Sequence, residues 1–159
     1  MGKKTISAGL IMWDIINGVP SILLAKPGGP FFWRKKEKCF GIPKGQINDG
    51  ENIFDGAVRE FEEETGIIPK GPYELVPSVK YGSGKIVHAW SFRGKFNKSK
   101  FKSNSFPLEW PPKSGKTQTF EELVEPEMMD LDRAMKMVTK SQEGFIHSMR
   151  EYFKEKNLL

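Results

Sequence analysis

The sequence predicts an α/β (α+β) fold in one domain spanning residues 1–159, and three observations predict it. Two apolar segments, Ser7 to Trp13 and Pro20 to Lys26, flank Asn17-Gly18. That dipeptide favours a two-residue hairpin turn because both positions accept positive φ. Further strand-like runs, Tyr73 to Tyr81 and Lys85 to Arg93, follow one another across Gly82-Ser83-Gly84. Helical spacing is confined to Asn52 to Thr65, Leu131 to Thr139 and Gly144 to Lys154. A hairpin and a run of consecutive strands argue against a doubly wound parallel sheet.

The composition suits such a domain. The chain has 159 residues, 38% hydrophobic and 28% charged, enough to build a core. No stretch reaches the run of about 20 apolar residues that a membrane span needs. Met1-Gly2-Lys3-Lys4 leads into Ile6 to Ile16, which Asp14 interrupts, so the segment reads as a strand and not a signal peptide. One cysteine, Cys39, excludes an internal disulfide and fits a cytoplasmic location. Lys38 beside it could raise its reactivity, although an ordinary residue at a strand start is the simpler reading. The net charge of +5 favours anionic partners without demanding nucleic acid.

Each element has a local cause. The second strand stops at Lys26 because Pro27-Gly28-Gly29-Pro30 breaks it. A basic, aromatic loop of Phe31, Phe32, Trp33, Arg34, Lys35 and Lys36 follows. Cys39 to Ile42 reads as a short strand, stopped by Pro43 and Gly45. Asn52 caps the first helix, with Asp55 at its third position, and Gly66 ends it. Lys95 to Lys116 reads as a long polar loop, and Glu122 to Met128 as a last strand.

The first helix carries the chemistry. At 100° per residue, Phe54, Ala57, Val58 and Phe61 form one apolar stripe. Glu60, Glu63 and Glu64 fall within an arc of about 100° beside that stripe. Like charges so placed repel by roughly 0.2–0.5 kcal/mol per pair on an exposed helix, and burial increases the cost. A hard divalent cation with oxygen ligands removes the conflict. Gly56, one turn before Glu60, costs the helix about 1 kcal/mol against alanine. Its missing side chain is expected to leave room for metal, water or phosphate. Arg59 lies one turn before Glu63 and can orient its carboxylate.

From Gly45 to Ile67 the chain reads glycine, five residues, Glu51, seven residues, Arg59-Glu60, an apolar residue, any residue, Glu63-Glu64, any residue, Gly66 and Ile67. This pattern resembles the Nudix box at every fixed position, and over 23 residues it is far more specific than a lone glycine-rich motif. Ser7-Ala8-Gly9-Leu10, Ile42-Pro43-Lys44-Gly45, Val87-His88-Ala89-Trp90 and Glu109-Trp110-Pro111-Pro112 are similar to a bacterial-type branch of that family, the predicted NTP pyrophosphohydrolases. The resemblance implies an α/β/α sandwich around a mixed sheet. It implies Mg²⁺ or Mn²⁺ held by Glu60, Glu63 and Glu64, with Arg59 and Glu51 supporting the loop and helix.

The implied reaction is attack of water on phosphorus within a diphosphate linkage. Glu63 is one candidate base. Glu122 is another, although a surface position is the plainer reading for it. Lys44 and Gly45 are expected near the phosphates, and Trp33, Phe32, Tyr81, Trp90 and Trp110 are candidates to stack on a base, with Trp33 and Tyr81 foremost. His88 reads as structural and His147 as a helix-surface residue. The proline that follows the box in ADP-ribose hydrolases is not evident, and the NADH-type signature is absent. Nucleoside triphosphates or dinucleoside polyphosphates are the expected substrates, for a monomer or homodimer with no membrane partner. A nucleotide-binding module with little catalysis, and an RNA 5′-end pyrophosphohydrolase, are the alternatives. No RNA-binding motif appears.

Overall fold

The computed structural model describes residues 5–159, so Met1–Lys4 lies outside the described residues. Its centre is a mixed sheet. Strands β1 (Ile6–Ile16) and β2 (Val19–Pro27) form the hairpin, with Ile16 opposite Val19 and both turn residues at positive φ, 51° at Asn17 and 80° at Gly18. Strand β4 (Glu74–Lys80) pairs antiparallel with β5 (Ile86–Arg93), and β5 runs parallel to β1. Strand β8 (Leu123–Asp130) pairs antiparallel with β2, giving the order β4-β5-β1-β2-β8.

Alternation along β1 separates two cores. Ala8, Leu10 and Met12 pack with Ala57 and Phe61 of helix α1 (Ile53–Thr65). Ile11 and Trp13 face the other way, toward Phe145, Met149 and Phe153 of α3 (Glu143–Glu155), with α2 (Leu131–Met137) beside it. The period of two is what lets one strand serve both layers of the sandwich. Phe61 meets Phe92 edge to face at 5.3 Å, and Trp13 meets Phe153 at 5.3 Å. No helix among the described residues is long and apolar enough to cross a membrane.

Helix α1 starts and stops as its sequence dictates. Asn52 Oδ1 accepts from the Asp55 N–H at 3.1 Å. Gly66, at φ 73°, donates its N–H to the Glu62 carbonyl at 2.8 Å.

Two expectations are corrected. Cys39 to Ile42 is not a strand. It makes only isolated bridges, Ala25 to Gly41 and Phe40 to Val138. The strand lies next to it, at β3 (Lys44–Gln46), which pairs antiparallel with Ser7 to Gly9 of β1. The expected loop from Lys95 to Lys116 contains β6 (Ser105–Glu109), which pairs with β7 (Thr117–Glu121) just beyond it in a separate two-stranded ribbon. Pro107 is tolerated there because the ribbon has two free edges.

Candidate active site

Arg59 is the organising side chain. Its Nε and Nη2 donate to both oxygens of Glu51, at 2.8 and 2.9 Å. Its Nη1 donates to Glu60 at 2.9 Å and to Glu63 at 3.1 Å, and Nη2 also reaches the Gln46 carbonyl at 3.2 Å. One planar, five-donor fork thus ties α1 to β3 and to the loop between them. The Arg59 guanidinium, helped by the Asn48 N–H at 3.0 Å, holds the Glu51 carboxyl down at about 2. Glu51 foremost, with Glu60 and Glu63, holds Arg59 above its ordinary value.

A depressed carboxylate stabilises the fold above its unfolded value and loses that contribution as pH falls. Glu51 therefore supports the fold fully above pH 4.5 and loses its contribution as pH falls toward about 2. Thermal melts should show the wild type falling faster than Glu51→Gln across that window. Parallel curves would remove Glu51 as the clasp.

Two glycines make this packing possible. A Cβ at Gly45 would lie 1.9 Å from Glu60 Oε2 and 2.1 Å from its Cδ, so the Glu60 carboxylate rests directly on the β3 backbone. Gly56 corrects a further expectation. The space beside it is taken by Ile47 Cδ1, 2.4 Å from a Cβ there, and by Glu51 Oε1 at 3.0 Å. It makes room for the loop, not for metal or phosphate.

Beside α1 opens a cleft of about 320 Å³, bounded by Lys44, Glu64, Glu122, Tyr81, Gln142 and Phe32 among others. Glu64 is buried and pushed up to about 8, first by that burial, then by Glu122 and Glu60, with Lys44 pulling the other way. Burial also raises Glu122, opposed by Lys44, and raises Glu60, opposed by the Arg59 hydrogen bond. Lys44 is lowered to about 8 by its own burial and then by Lys85, against Glu64 and Glu60. Glu63 is more open, its side chain 41% exposed. Among the described residues, no three carboxylate, imidazole or thiol groups stand close enough together, as placed, to ligate one ion.

The remaining candidates divide. Glu122 is not the surface residue expected; it is half-buried just before β8, close enough to raise Glu64. Lys44 is not a solvated turn lysine but a β3 side chain in the cleft wall. Phe32 and Tyr81 line the cleft. Trp33 is 61% exposed and packs edge to face with Trp110 and Phe120, both at 6.1 Å, outside that lining. Trp90 packs on Phe54 at 5.1 Å and serves the α1 contact. His88 is half-buried opposite Ala8, and His147 is exposed. Cys39 is buried, and burial pushes its thiol up, against the reactive reading. Sequence reasoning missed Lys85 and Gln142. Neither has a local signal: Gln142 lines the cleft and Lys85 stands beside Lys44 and the Tyr81 ring only because distant segments pair.

An α/β/α sandwich whose first helix presents an arginine-tied set of glutamates to a cleft defines a class of protein. The NUDIX domain model matches residues 4–149, and the chain belongs to that family. The chain is 38% identical over 66 residues to Nudix hydrolase 7 of Arabidopsis thaliana, covering 42% of this chain and 22% of that protein. It is 39% identical over 49 residues to the ADP-ribose pyrophosphatase of Methanocaldococcus jannaschii, covering 31% and 26%. The match thus spans about a quarter of the length of these curated relatives. Among solved structures, a binary complex of the C. elegans Ap4A hydrolase superposes with a TM-score of 0.64 at 17% identity, covering 94% of this chain and 98% of that one, a likeness of fold.

Proposed function

We propose that this chain hydrolyses a phosphoric anhydride bond in a nucleoside triphosphate or dinucleoside polyphosphate, with a divalent cation, Mg²⁺ or Mn²⁺, as its cofactor. The observation that carries the reading is Glu64, a buried carboxylate pushed up to about 8 by burial and by the neighbouring carboxylates of Glu122, Glu60 and Glu63. A buried cluster of like charge is unfavourable alone and is relieved by a hard cation with oxygen ligands. Glu60, Glu63 and Glu64 would hold that ion, Glu63 by rotating away from Arg59. When bound, the ion supplies neutralisation of phosphate charge and acidification of water.

The chain's own residues supply the remainder. Glu122 shares the cleft wall with Glu64 and would take a proton from the attacking water, with Glu63 as the alternative base. Lys44, Lys35 and Lys38 line the same cleft, which suits a chain of several phosphates. Arg59 and Glu51 fix the position of α1 without touching substrate. The ADP-ribose and Ap4A in the names of the similar proteins share a phosphoric anhydride chain that carries adenosine at one end or both, and that shared chemistry suits a cleft lined by several lysines.

The test is a screen of nucleoside triphosphates, dinucleoside polyphosphates, ADP-ribose and diphosphoinositol polyphosphates with Mg²⁺ or Mn²⁺, products resolved by mass. Anhydride cleavage that stops on chelation is the expected result. No cleavage anywhere in the panel overturns the reading.

A further inference from the structure

Gln142 is a buried polar side chain, 2% exposed, that the reaction above does not use. Its Oε1 accepts from the Ile42 N–H at 2.9 Å. A backbone N–H only donates, so the atom facing Ile42 is the carbonyl oxygen and the other is the amide nitrogen. That nitrogen donates to Tyr81 Oη at 2.8 Å. Tyr81 is therefore the acceptor in this bond, and its own hydroxyl proton is left for a different partner. Gly41 permits the arrangement. A Cβ there would lie 2.9 Å from Gln142 Nε2 and 3.0 Å from Oε1.

Tyr81 lines the cleft with Lys44, Glu64 and Glu122, and the Lys85 ammonium lies 5.4 Å from its ring centroid. We propose that the Tyr81 hydroxyl donates a hydrogen bond to a phosphate oxygen of the substrate beside Lys44, and that Gln142 is the positioning residue that keeps this proton turned toward the cleft. The acceptor is an anion because the Lys85 ammonium stands over the phenol ring and Lys44, Lys35 and Lys38 line the same cleft. Burial pushes the phenol up, so it remains a donor at neutral pH. Tyr81 serves a phosphate that is held while another is attacked, because a protonated phenol cannot take the proton of the attacking water. The inference rests on the polyphosphate hydrolase reading and names one contact within it.

Steady-state kinetics on a nucleoside triphosphate or dinucleoside polyphosphate that the wild type cleaves provide the test. Tyr81→Phe should raise KM about tenfold with kcat within about twofold, the signature of a lost uniform binding contact. Gln142→Glu keeps an acceptor for the Ile42 N–H but replaces the amide donor with a carboxylate oxygen, which captures the Tyr81 proton. It should reproduce Tyr81→Phe, and the double variant should be no worse than either single one. A wild-type KM in either variant overturns the proposal and leaves the hydrolase reading standing. Should the wild type cleave nothing, that reading fails separately, and titration with inorganic tripolyphosphate and Mg²⁺ decides this contact. Binding about tenfold weaker in Tyr81→Phe supports it, and equal binding overturns it.

Discussion

Glu64→Gln should lower metal-supported turnover by about 10²–10⁴-fold and, in the metal-free protein, raise the melting temperature at alkaline pH. The two effects share one cause. Glu64 is buried among Glu60, Glu122 and Lys44, and its carboxyl sits at about 8 against an ordinary 4.5. A carboxyl raised by folding costs nothing while protonated in both states, below pH 4.5. Its cost grows as pH rises from there to about 8 and is complete above that. The wild type should therefore lose stability over this range without metal, while Glu64→Gln stays flatter and melts on the order of 5 °C higher near pH 8.5. Saturating Mg²⁺ should reverse the order, since binding to the folded state stabilises it by mass action and the variant has lost a ligand. Melting curves at two pH values, with and without Mg²⁺, read all four cases. A variant less stable than wild type without metal at alkaline pH would mean that the Glu64 charge is already balanced within the protein.

Arg59→Ala carries the second largest expected effect. Removing this guanidinium leaves Glu51, Glu60 and Glu63 without their common partner. Unpairing partly buried charges is more damaging than never having had the pair. The melting temperature at neutral pH should fall on the order of 5 °C. Turnover should fall about 10–100-fold, the usual result of losing a group that orients metal ligands. Arg59→Lys should recover little of either, because an ammonium cannot match both oxygens of Glu51 and reach two further carboxylates at once. Full recovery by lysine would show that charge alone, and not the planar fork, organises the site.

Where local chemistry decides, the sequence could be read directly. The Asn17-Gly18 turn, the Asn52 cap and the Gly66 stop each depend on a few adjacent residues, and each stands in the structure where the residues place it. The Arg59 and Glu64 positions on α1 follow from helical spacing alone. What was not legible depends on distant partners. Strand β3 is three residues long, bounded by Pro43 and centred on Gly45, and it exists because β1 offers an edge and Glu60 needs the glycine. The segment from Cys39 to Ile42 looks like a strand, yet its apolar residues fill the core beneath α2 and α3 without a ladder. Ribbon β6–β7 hides in a polar sequence because a two-stranded ribbon buries little. Burial of Glu122 and the bonding of Gln142 come from folding segments about 60 to 100 residues apart onto one cleft.

That ribbon has a further consequence. Its chain leaves near Asn104 and returns at Glu122, where the Glu122 N–H donates to the Asn104 carbonyl at 2.7 Å and the Gly28 N–H donates to the Glu122 carbonyl at 2.9 Å. The two ends are stitched together at the rim while the tip stands on Phe31 and Trp33, away from both cores. Such an appendage is separable from the body that bears it. Its length and aromatic content can drift, or be swapped in the laboratory, while the stitch keeps Glu122 in place beside the helix of glutamates.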